Sequence, residues 1–508
     1  MNYLHETALN KDKEFHISCN IDVPLCVDMD GTLIKTDIFF ETLIIALRKR
    51  WRNVFFMPIW LSRGKAFLKR KLLGFGVPDP QSIPYNSELI EYLKSERDFG
   101  RKITLVTASD ILAAGPVARH VGVFDDVMAS DGGMNLKGAA KAQALVNRFG
   151  ERGFVYAGND KSDLEVWRRA RCAIVVNAPE GLARKVAETT PIVCEFPGRI
   201  PVFRELVRAM RCYQWVKNIL VFVPIVAAHR FFEMKGLIPT LLVFLALCAG
   251  ASGGYLINDL MDIESDRRHP RKRERPFASG NLPLQFCLLG PILSIIGLII
   301  GMMVSVICFM LILLYITLSI SYSEYLKTRP IIDIFLLAGL YTLRVVIGGV
   351  SSGNFASIWL LNFSGFLFLS LGILKRYSEY SEDQGKEGNS IYNRRGYTKY
   401  DMQALIIMGI SSSFTSAVIL GLYIDSTQAQ VAYRTPLILW GIVPLVLFWQ
   451  CRMWLATTRG YMLDDPIVYA AKDRVSKIIG FLSLTLFILA SIDIKKIFTI
   501  FYNHIFAG

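Results

Sequence analysis

Apolar and polar positions alternate differently in the two halves of the chain. From about Trp215 onward, long apolar runs are separated by short polar loops. That is the pattern of helices that satisfy their own backbone groups inside a bilayer. Nine spans are predicted, near residues 214–229, 237–257, 285–303, 304–322, 332–350, 356–374, 403–423, 436–455 and 477–500. The first is short, and the third and fourth are divided only around Gly301. Residues 1–205 mix charged and apolar positions as a soluble domain does. There, VPLCVDMDGTLIKTD (23–37), RKITLVTAS (101–109) and RGFVYAGNDKSDLEVW (152–167) each read as an apolar strand running into a polar turn. NLKGAAKAQAL (135–145) opens a helix, and residues 34–100 read as a helical cap. The cap's run FFETLIIALRKRWRNVFFMPIW suits either a core-facing helix, the commoner case, or a segment leaning on a membrane.

Composition fits a soluble domain fused to a membrane domain. Hydrophobic residues make up 52% of 508, and the net charge is +14. No basic–aromatic array accompanies that charge, so nucleic acid is not expected as a partner. Loop cations and phosphorylated or anionic lipid ligands account for it better. If the N-terminal domain is cytoplasmic, the loops on its side hold Arg267 to Arg275, Lys327 and Arg329, Lys375 to Lys399, and Arg452 to Arg474. The opposite loops hold few cations, such as Arg230, Lys235 and Arg434, as the positive-inside rule requires. The polar loops would then share one face with the soluble domain. Residues 1–20 read as a tail without a signal-peptide core. A multi-pass protein of the inner (plasma) membrane is therefore expected. The nine cysteines form no CxxC pair, which indicates neither a disulfide framework nor a zinc site. Homo-oligomer formation is left open.

The stretch NDLMDIESDRRHPRKRERPFASG (258–280) carries the clearest chemistry. On a continuous helix, Asp259, Asp262 and Asp266 fall at i, i+3 and i+7, on one face. Such carboxylates repel unless a cation lies between them, and hard oxygen donors suit Mg²⁺ bound to a diphosphate. The metal would also stabilise charge on a departing diphosphate. Arg268 and Arg275 would add phosphate contacts; a charged loop that only orients the protein is the plainer alternative for the basic run. Asn258-Asp259-x-x-Asp262-x-x-x-Asp266, followed by RP and SG, resembles the UbiA superfamily of membrane prenyltransferases over residues 205–508. That resemblance implies an all-α, nine-helix transmembrane bundle.

RCYQWVKNILVFVP (211–224), the aspartate loop, SYSEYLKTRPIIDIFLLAGLYTLRVVIGGV (321–350) and LGILKRYSEY (371–380) resemble one branch of that superfamily, the decaprenyl-phosphate phosphoribosyltransferases. The resemblance implies transfer of 5-phosphoribose from 5-phosphoribosyl 1-diphosphate to a polyprenyl phosphate, releasing diphosphate. Lys217 and Asn218 are candidates for the acceptor's phosphate; snorkelling is the alternative for Lys217. Tyr322 and Lys327 flank the loop before Asp333. Arg344 lies about 16 Å further along that helix, at 1.5 Å per residue, where an arginine usually faces a partner or a polar cavity. Lys375 and Arg376 close the sixth span as candidate donor-phosphate ligands. Glu379, Glu382 and Asp383 offer a second metal site without a clean DxxxD. Asp465, Lys472, Asp473 and Arg474 suit a solvated loop equally well.

In the N-terminal half, a strand end bearing two acids and a turn glycine is a common catalytic position. Asp28-x-Asp30-Gly31-Thr32, Thr107, the helix with Lys137 and Lys141, and Gly158-Asn159-Asp160-x-x-Asp163 come in the order of the haloacid dehalogenase superfamily of Mg²⁺ phosphatases. The resemblance covers residues 20–195. It implies an α/β, Rossmann-type domain with a cap, Asp28 as nucleophile, Asp30 as general acid and base, and Thr107 as a phosphate ligand. Lys141 would neutralise phosphate, with Lys137 as the spare candidate. Asp28, Asp30, Asp160 and Asp163 would hold Mg²⁺. Asn159 departs from the family, standing where an acid is usual. The domains are thus expected at 21–198 and 199–508.

Together these readings imply a bifunctional enzyme whose phosphatase half removes the 5-phosphate from the lipid product, for cell-wall glycan synthesis. Two alternatives stand: a prenyltransferase using a prenyl diphosphate donor, and a non-catalytic carrier of lipid intermediates.

Overall fold

The computed structural model describes residues 21–50, 52–131, 136–179, 181–196, 201–383, 396–398, 400–462 and 465–491. The tail 1–20, the loop cations Lys386, Arg394, Arg395 and Lys399, and the side chains of Glu382 and Asp383 lie outside the described residues. By packing, the chain forms two compact units. One contains the described residues of Met1–Ala209 together with Asp259–Leu288; the other contains those of Met210–Asn258 and Leu289–Gly508.

The first unit is built on six parallel strands: β1 Leu25–Asp28, β2 Ile103–Asp110, β3 Asp126–Ser130, β4 Val155–Gly158, β5 Cys172–Val176 and β6 Ile192–Phe196, in the order β3-β2-β1-β4-β5-β6. The central strands are apolar at successive positions because helices cover both faces. Leu25, Val27, Ile103, Leu105, Val155 and Ala157 pack on one side with helices Ser87–Asp98 and Ile111–Val121. Cys26, Val106, Tyr156, Ala173 and Val175 pack on the other with Ala139–Phe149 and Trp167. Strand order reverses between β1 and β4, and such a switch point opens a crevice at the carboxyl ends of the strands. Asp28 ends β1 and Gly158 ends β4, so the motif residues fall at that crevice. This is the Rossmann-type α/β arrangement expected. Helices Ile38–Lys49, Asn53–Ser62 and Lys65–Leu73 form a separate cap with its own small core around Leu43, Ala46, Leu68 and Leu72. Ser87–Asp98 belongs to the sheet core instead, because Leu89 and Leu93 bury there completely.

The described residues of the second unit form helices and their connecting turns. Among the described residues, eight helices are long and apolar enough to cross a membrane: Met234–Met261, Leu284–Val304, Val306–Glu324, Ile332–Ser352, Ile358–Glu379, Asp401–Asp425, Pro436–Thr458 and Arg474–Ser491. Nine were expected. The first expected span is instead a shorter apolar segment, Cys212–Ala227, wound as a 3₁₀ helix over Cys212–Phe222 and as α-helix over Val223–Ala227. With rises of about 2.0 and 1.5 Å per residue, the segment is about 30 Å long despite its few residues. It packs closely on Ile332–Ser352: a Cβ on Gly348 would fall 2.0 Å from the Val221 carbonyl oxygen, so only glycine fits there. The predicted break near Gly301 is a capped turn in which Ser305 Oγ accepts the Cys308 N–H at 3.0 Å.

Candidate functional sites

At the crevice of the parallel sheet, Lys141 Nζ lies 2.7 Å from Asp28 Oδ1 and 2.9 Å from the Tyr156 hydroxyl. The Tyr156 hydroxyl donates to Asp163 Oδ1 at 2.9 Å. These groups are all buried. Asp163 Oδ2 accepts the backbone N–H groups of Asn159 and Asp160 at 3.1 and 3.0 Å, which fixes the turn after β4. Asp30 Oδ1 accepts the Ile38 N–H at 2.9 Å and its Oδ2 accepts from Ser109 Oγ at 2.7 Å. Thr107 Oγ1 lies 3.4 Å from the same oxygen and accepts the Ser109 N–H at 3.0 Å. Burial pushes the Asp28 carboxyl up to about 7, against the opposing pull of Lys141. Burial alone would lower the Lys141 ammonium, but Asp28 and Asp163 outweigh it and hold it above its ordinary value.

The chain thus brings Asp28, Asp30, Thr107, Lys141 and Asp163 to one crevice. The exposed Asp160 turns its carboxylate to its own loop, accepting from Lys161 N and Ser162 Oγ. Asn159 approaches the Asp28 loop: its Oδ1 accepts from Thr32 at 3.2 Å. Gly31, at φ +78°, leaves room for it, since a Cβ there would meet the Asn159 amide at 2.2 Å. Ser109 and Tyr156 are additions to the set read from sequence. Neither stands in a motif, but both lie on strands that carry one.

The aspartate motif departs from a continuous helix. Met234–Met261 ends before Asp262, and a short helix, Ile263–Arg268, begins after it. Asp259 and Asp266 are nonetheless brought together and are buried. Arg275 lies between them, with Nη1 3.2 Å from Asp259 Oδ1 and 2.6 Å from Asp266 Oδ2. Burial raises the Asp266 carboxyl above its ordinary value, with Arg275 opposing. Its Oδ1 is buried and accepts no hydrogen bond. Half-buried Asp262 stands at the break, its carbonyl accepting Asp266 N–H at 2.8 Å. Arg268 is held elsewhere, 3.2 Å from Asp79, in an exposed pair. Arg267, which the sequence reading gave no separate role, forms a buried fork with Glu41 at 2.6 and 3.1 Å. Among the described residues, no three His, Cys, Asp or Glu side chains converge as a ready metal cage. The carboxylate pair around a cation, with one orphaned oxygen, still has the donor chemistry of a hard-cation site.

A third cluster lies in the helical unit. Lys217 and Lys375 both approach Asp465 Oδ2, at 2.6 and 3.2 Å, and the Tyr341 hydroxyl lies 3.3 Å from the same carboxylate. Burial would raise Asp465, but Lys375 and Lys217 hold it well below the usual carboxylate range. Arg344 is buried in a polar network: it donates to Asn218 Oδ1 at 2.9 Å, to the Leu340 carbonyl at 2.7 Å and to the Tyr315 hydroxyl at 2.7 Å. Arg376 belongs to a separate network, bonded to Asp333, Glu379 and Tyr322, with Tyr397 donating to Asp333 at 2.6 Å. Lys327 sits on the turn Leu326–Thr328. An apolar groove of about 580 Å³ lies in the same unit, lined by residues that include Phe222, Val226, Leu360, Leu439, Leu484 and Phe487.

The chain thus joins a parallel α/β domain with an aspartate–lysine crevice to a polytopic helical bundle with an acid motif at a helix end, the build of a membrane protein with a fused α/β domain. Residues 221–460 match the UbiA prenyltransferase family, and the chain belongs to that family. It is 32% identical to the y4nM protein of Sinorhizobium fredii, over 95% of this chain and 94% of that protein. It is 30% identical to the nodulation protein NoeC of Azorhizobium caulinodans, over 56% of this chain and 91% of NoeC. It is 38% identical to the decaprenyl-phosphate phosphoribosyltransferase of Corynebacterium glutamicum, over 34% of this chain and 54% of that enzyme.

Proposed function

We propose that the chain transfers 5-phosphoribose from 5-phosphoribosyl 1-diphosphate to a polyprenyl phosphate and then removes the 5-phosphate. The observation that carries the first step is the buried carboxylate pair Asp259 and Asp266 closed around a cationic group. The likeness to a decaprenyl-phosphate phosphoribosyltransferase supports this choice of donor. Asp259, Asp262 and Asp266, with Asn258, would hold Mg²⁺, which when bound supplies charge for the donor's diphosphate. Arg275 is the cation such an ion would replace, freeing its guanidinium for a phosphate. Lys217 and Lys375, oriented by Asp465, would take the acceptor's phosphate, and the apolar groove suits its chain. An acceptor phosphate oxygen attacks ribose C1, the C1–O bond to diphosphate breaks, and diphosphate leaves.

In the second step Asp28 attacks the 5-phosphate phosphorus, and Asp30 gives a proton to the departing ribose oxygen. Asp30 then takes a proton from the water that hydrolyses the aspartyl-phosphate. Thr107 and Lys141 bind the transferred phosphoryl group. Asp28, Asp30 and the Asn159 amide would hold the Mg²⁺ that screens its charge, because Asp163 is committed to the turn and Asp160 to its own loop. Both active sites would face the cytoplasm.

Membranes given labelled 5-phosphoribosyl diphosphate or labelled prenyl diphosphate decide the donor. Lipid labelling from the first, lost in Asp262→Ala, is the expected result. Labelling only from the second would establish the prenyltransferase alternative. Phosphate release from the phosphoribosyl lipid should vanish in Asp28→Asn, and a wild-type rate would refute the second step.

A further inference from the structure

The cap carries a helix that its own unit leaves uncovered. Asn53–Ser62, NVFFMPIWLS, has no charged residue. Phe55, Phe56, Ile59 and Leu61 are 68%, 50%, 55% and 49% exposed. Its opposite side is anchored: Asn53 Nδ2 donates to the Ala46 carbonyl at 3.0 Å, and Trp60 stacks with Phe75 at 6.0 Å. The exposed face is therefore fixed by packing. Solvated helices rarely present four large apolar side chains together, and such patches mark interaction surfaces.

The surrounding charge selects the partner. From Thr42 to Pro78 the chain has nine Lys or Arg residues and no Asp or Glu. Arg50 and Arg52 precede the helix, Arg63 and Lys65 follow it, and all four are exposed. An apolar helix bracketed by cations matches the boundary between acyl chains and anionic headgroups. A protein surface complementary to it would need a dense acidic rim around an apolar centre. A bilayer supplies both parts, and the chain is a multi-pass membrane protein.

We infer that Asn53–Ser62 docks into the interface of an anionic bilayer, with Phe55, Phe56, Ile59 and Leu61 as the inserted residues. The inference goes beyond either proposed activity and depends on neither. Docking would hold the cap at the surface where a lipid-linked phosphate is presented.

The test uses the full chain in nanodiscs of phosphatidylcholine, with or without phosphatidylglycerol. The photo-crosslinker p-benzoylphenylalanine replaces Phe56, Ile59 or, as control, the exposed Lys94 of the sheet-packed helix. Exposed sites are chosen so that the core is untouched, and mass spectrometry identifies the adducts. The expected result is phospholipid adducts at 56 and 59 several-fold above those at 94. Yield should rise with phosphatidylglycerol, and that rise should be lost in the triple variant Arg50→Gln, Arg52→Gln, Arg63→Gln. Adducts to another segment of the chain or to a second copy would overturn the proposal, as would equal lipid yields at the three positions. Yields indifferent to phosphatidylglycerol would overturn the assignment to anionic lipid.

Discussion

Removing one member of the Arg267–Glu41 pair should destabilise the first unit far more than removing both. Arg267 Nη2 and Nη1 reach the two Glu41 oxygens at 2.6 and 3.1 Å, and both side chains are only 5% exposed. Thr36 Oγ1 donates to Glu41 at 2.7 Å, and Arg267 Nε donates to the Ala278 carbonyl at 3.3 Å. The fork joins the segment after the aspartate motif to the first cap helix within one packed unit. Glu41→Leu leaves a buried guanidinium without its counter-charge, a loss of about 3–5 kcal/mol. Arg267→Met strands the carboxylate at similar cost. The double variant Glu41→Leu/Arg267→Met replaces the pair with apolar volume, and such exchanges are often close to neutral.

The assay is thermal unfolding of the full chain in detergent, followed by circular dichroism, with the four proteins forming a double-mutant cycle. For a unit of this size, 1 kcal/mol corresponds to about 2–4 °C in Tm. Each single variant should therefore fall by roughly 6–20 °C, while the double variant stays within a few degrees of wild type. Additive losses, with the double variant lowest, would refute the reasoning. They would mean that the fork is solvated or broken in solution and that the two residues act separately.

In the metal-free chain, burial holds the Asp28 carboxyl near 7. That shift acts on stability. A folded value near 7 against an ordinary 3.8 means that the folded state takes up a proton as pH falls through 7. Stability is then greatest below about pH 4 from this group and is lost as pH rises through 7, by at most about 4 kcal/mol. Tm measured from pH 5 to 8 should show the larger part of that loss in wild type and none of it in Asp28→Asn. Tyr156→Phe removes the buried hydroxyl that bridges Lys141 and Asp163, and should cost about 1–3 kcal/mol in unfolding. Lys217→Met should raise KM for the lipid phosphate by about 10-fold or more, as expected for losing a charge-assisted hydrogen bond, with KM for the sugar donor unchanged.

What was legible in the chain is what depends on neighbours in sequence. Asp28, Asp30 and Gly31 follow an apolar strand, and a parallel strand ending in acids already states where a crevice lies. The membrane helices were legible for the same reason: apolar length is a local property, and eight of the expected spans appear as helices. The first expected span shows where local reading stops. Its apolar count falls short for an α-helix, and the extended 3₁₀ winding that lengthens it reflects packing against Ile332–Ser352, including the approach of Val221 to Gly348. Asp465 is a stronger case. Its loop was equally readable as solvated, because the two lysines that define it lie 248 and 90 residues away.

Arg275 shows how a residue's charge can be read while its partner is missed. The basic run after the acids suggested phosphate ligands and an orientation signal, and Arg268 does lie exposed at the surface. Arg275 instead turns back nine residues to Asp266, because the chain breaks at Asp262 and reverses after Ile263–Arg268. An unbroken helix would align the acids by their i, i+3, i+7 spacing; Asp259 and Asp266 meet instead across the break at Asp262. Two buried carboxylates repel unless a cation lies between them, and the guanidinium meets that demand from within the chain. A guanidinium is, however, a weaker partner for crowded oxygens than a small divalent ion, and Asp266 Oδ1 is left without a hydrogen bond. The requirement read from the acids was thus a requirement for positive charge at that point, and the identity of its bearer was decided by the fold.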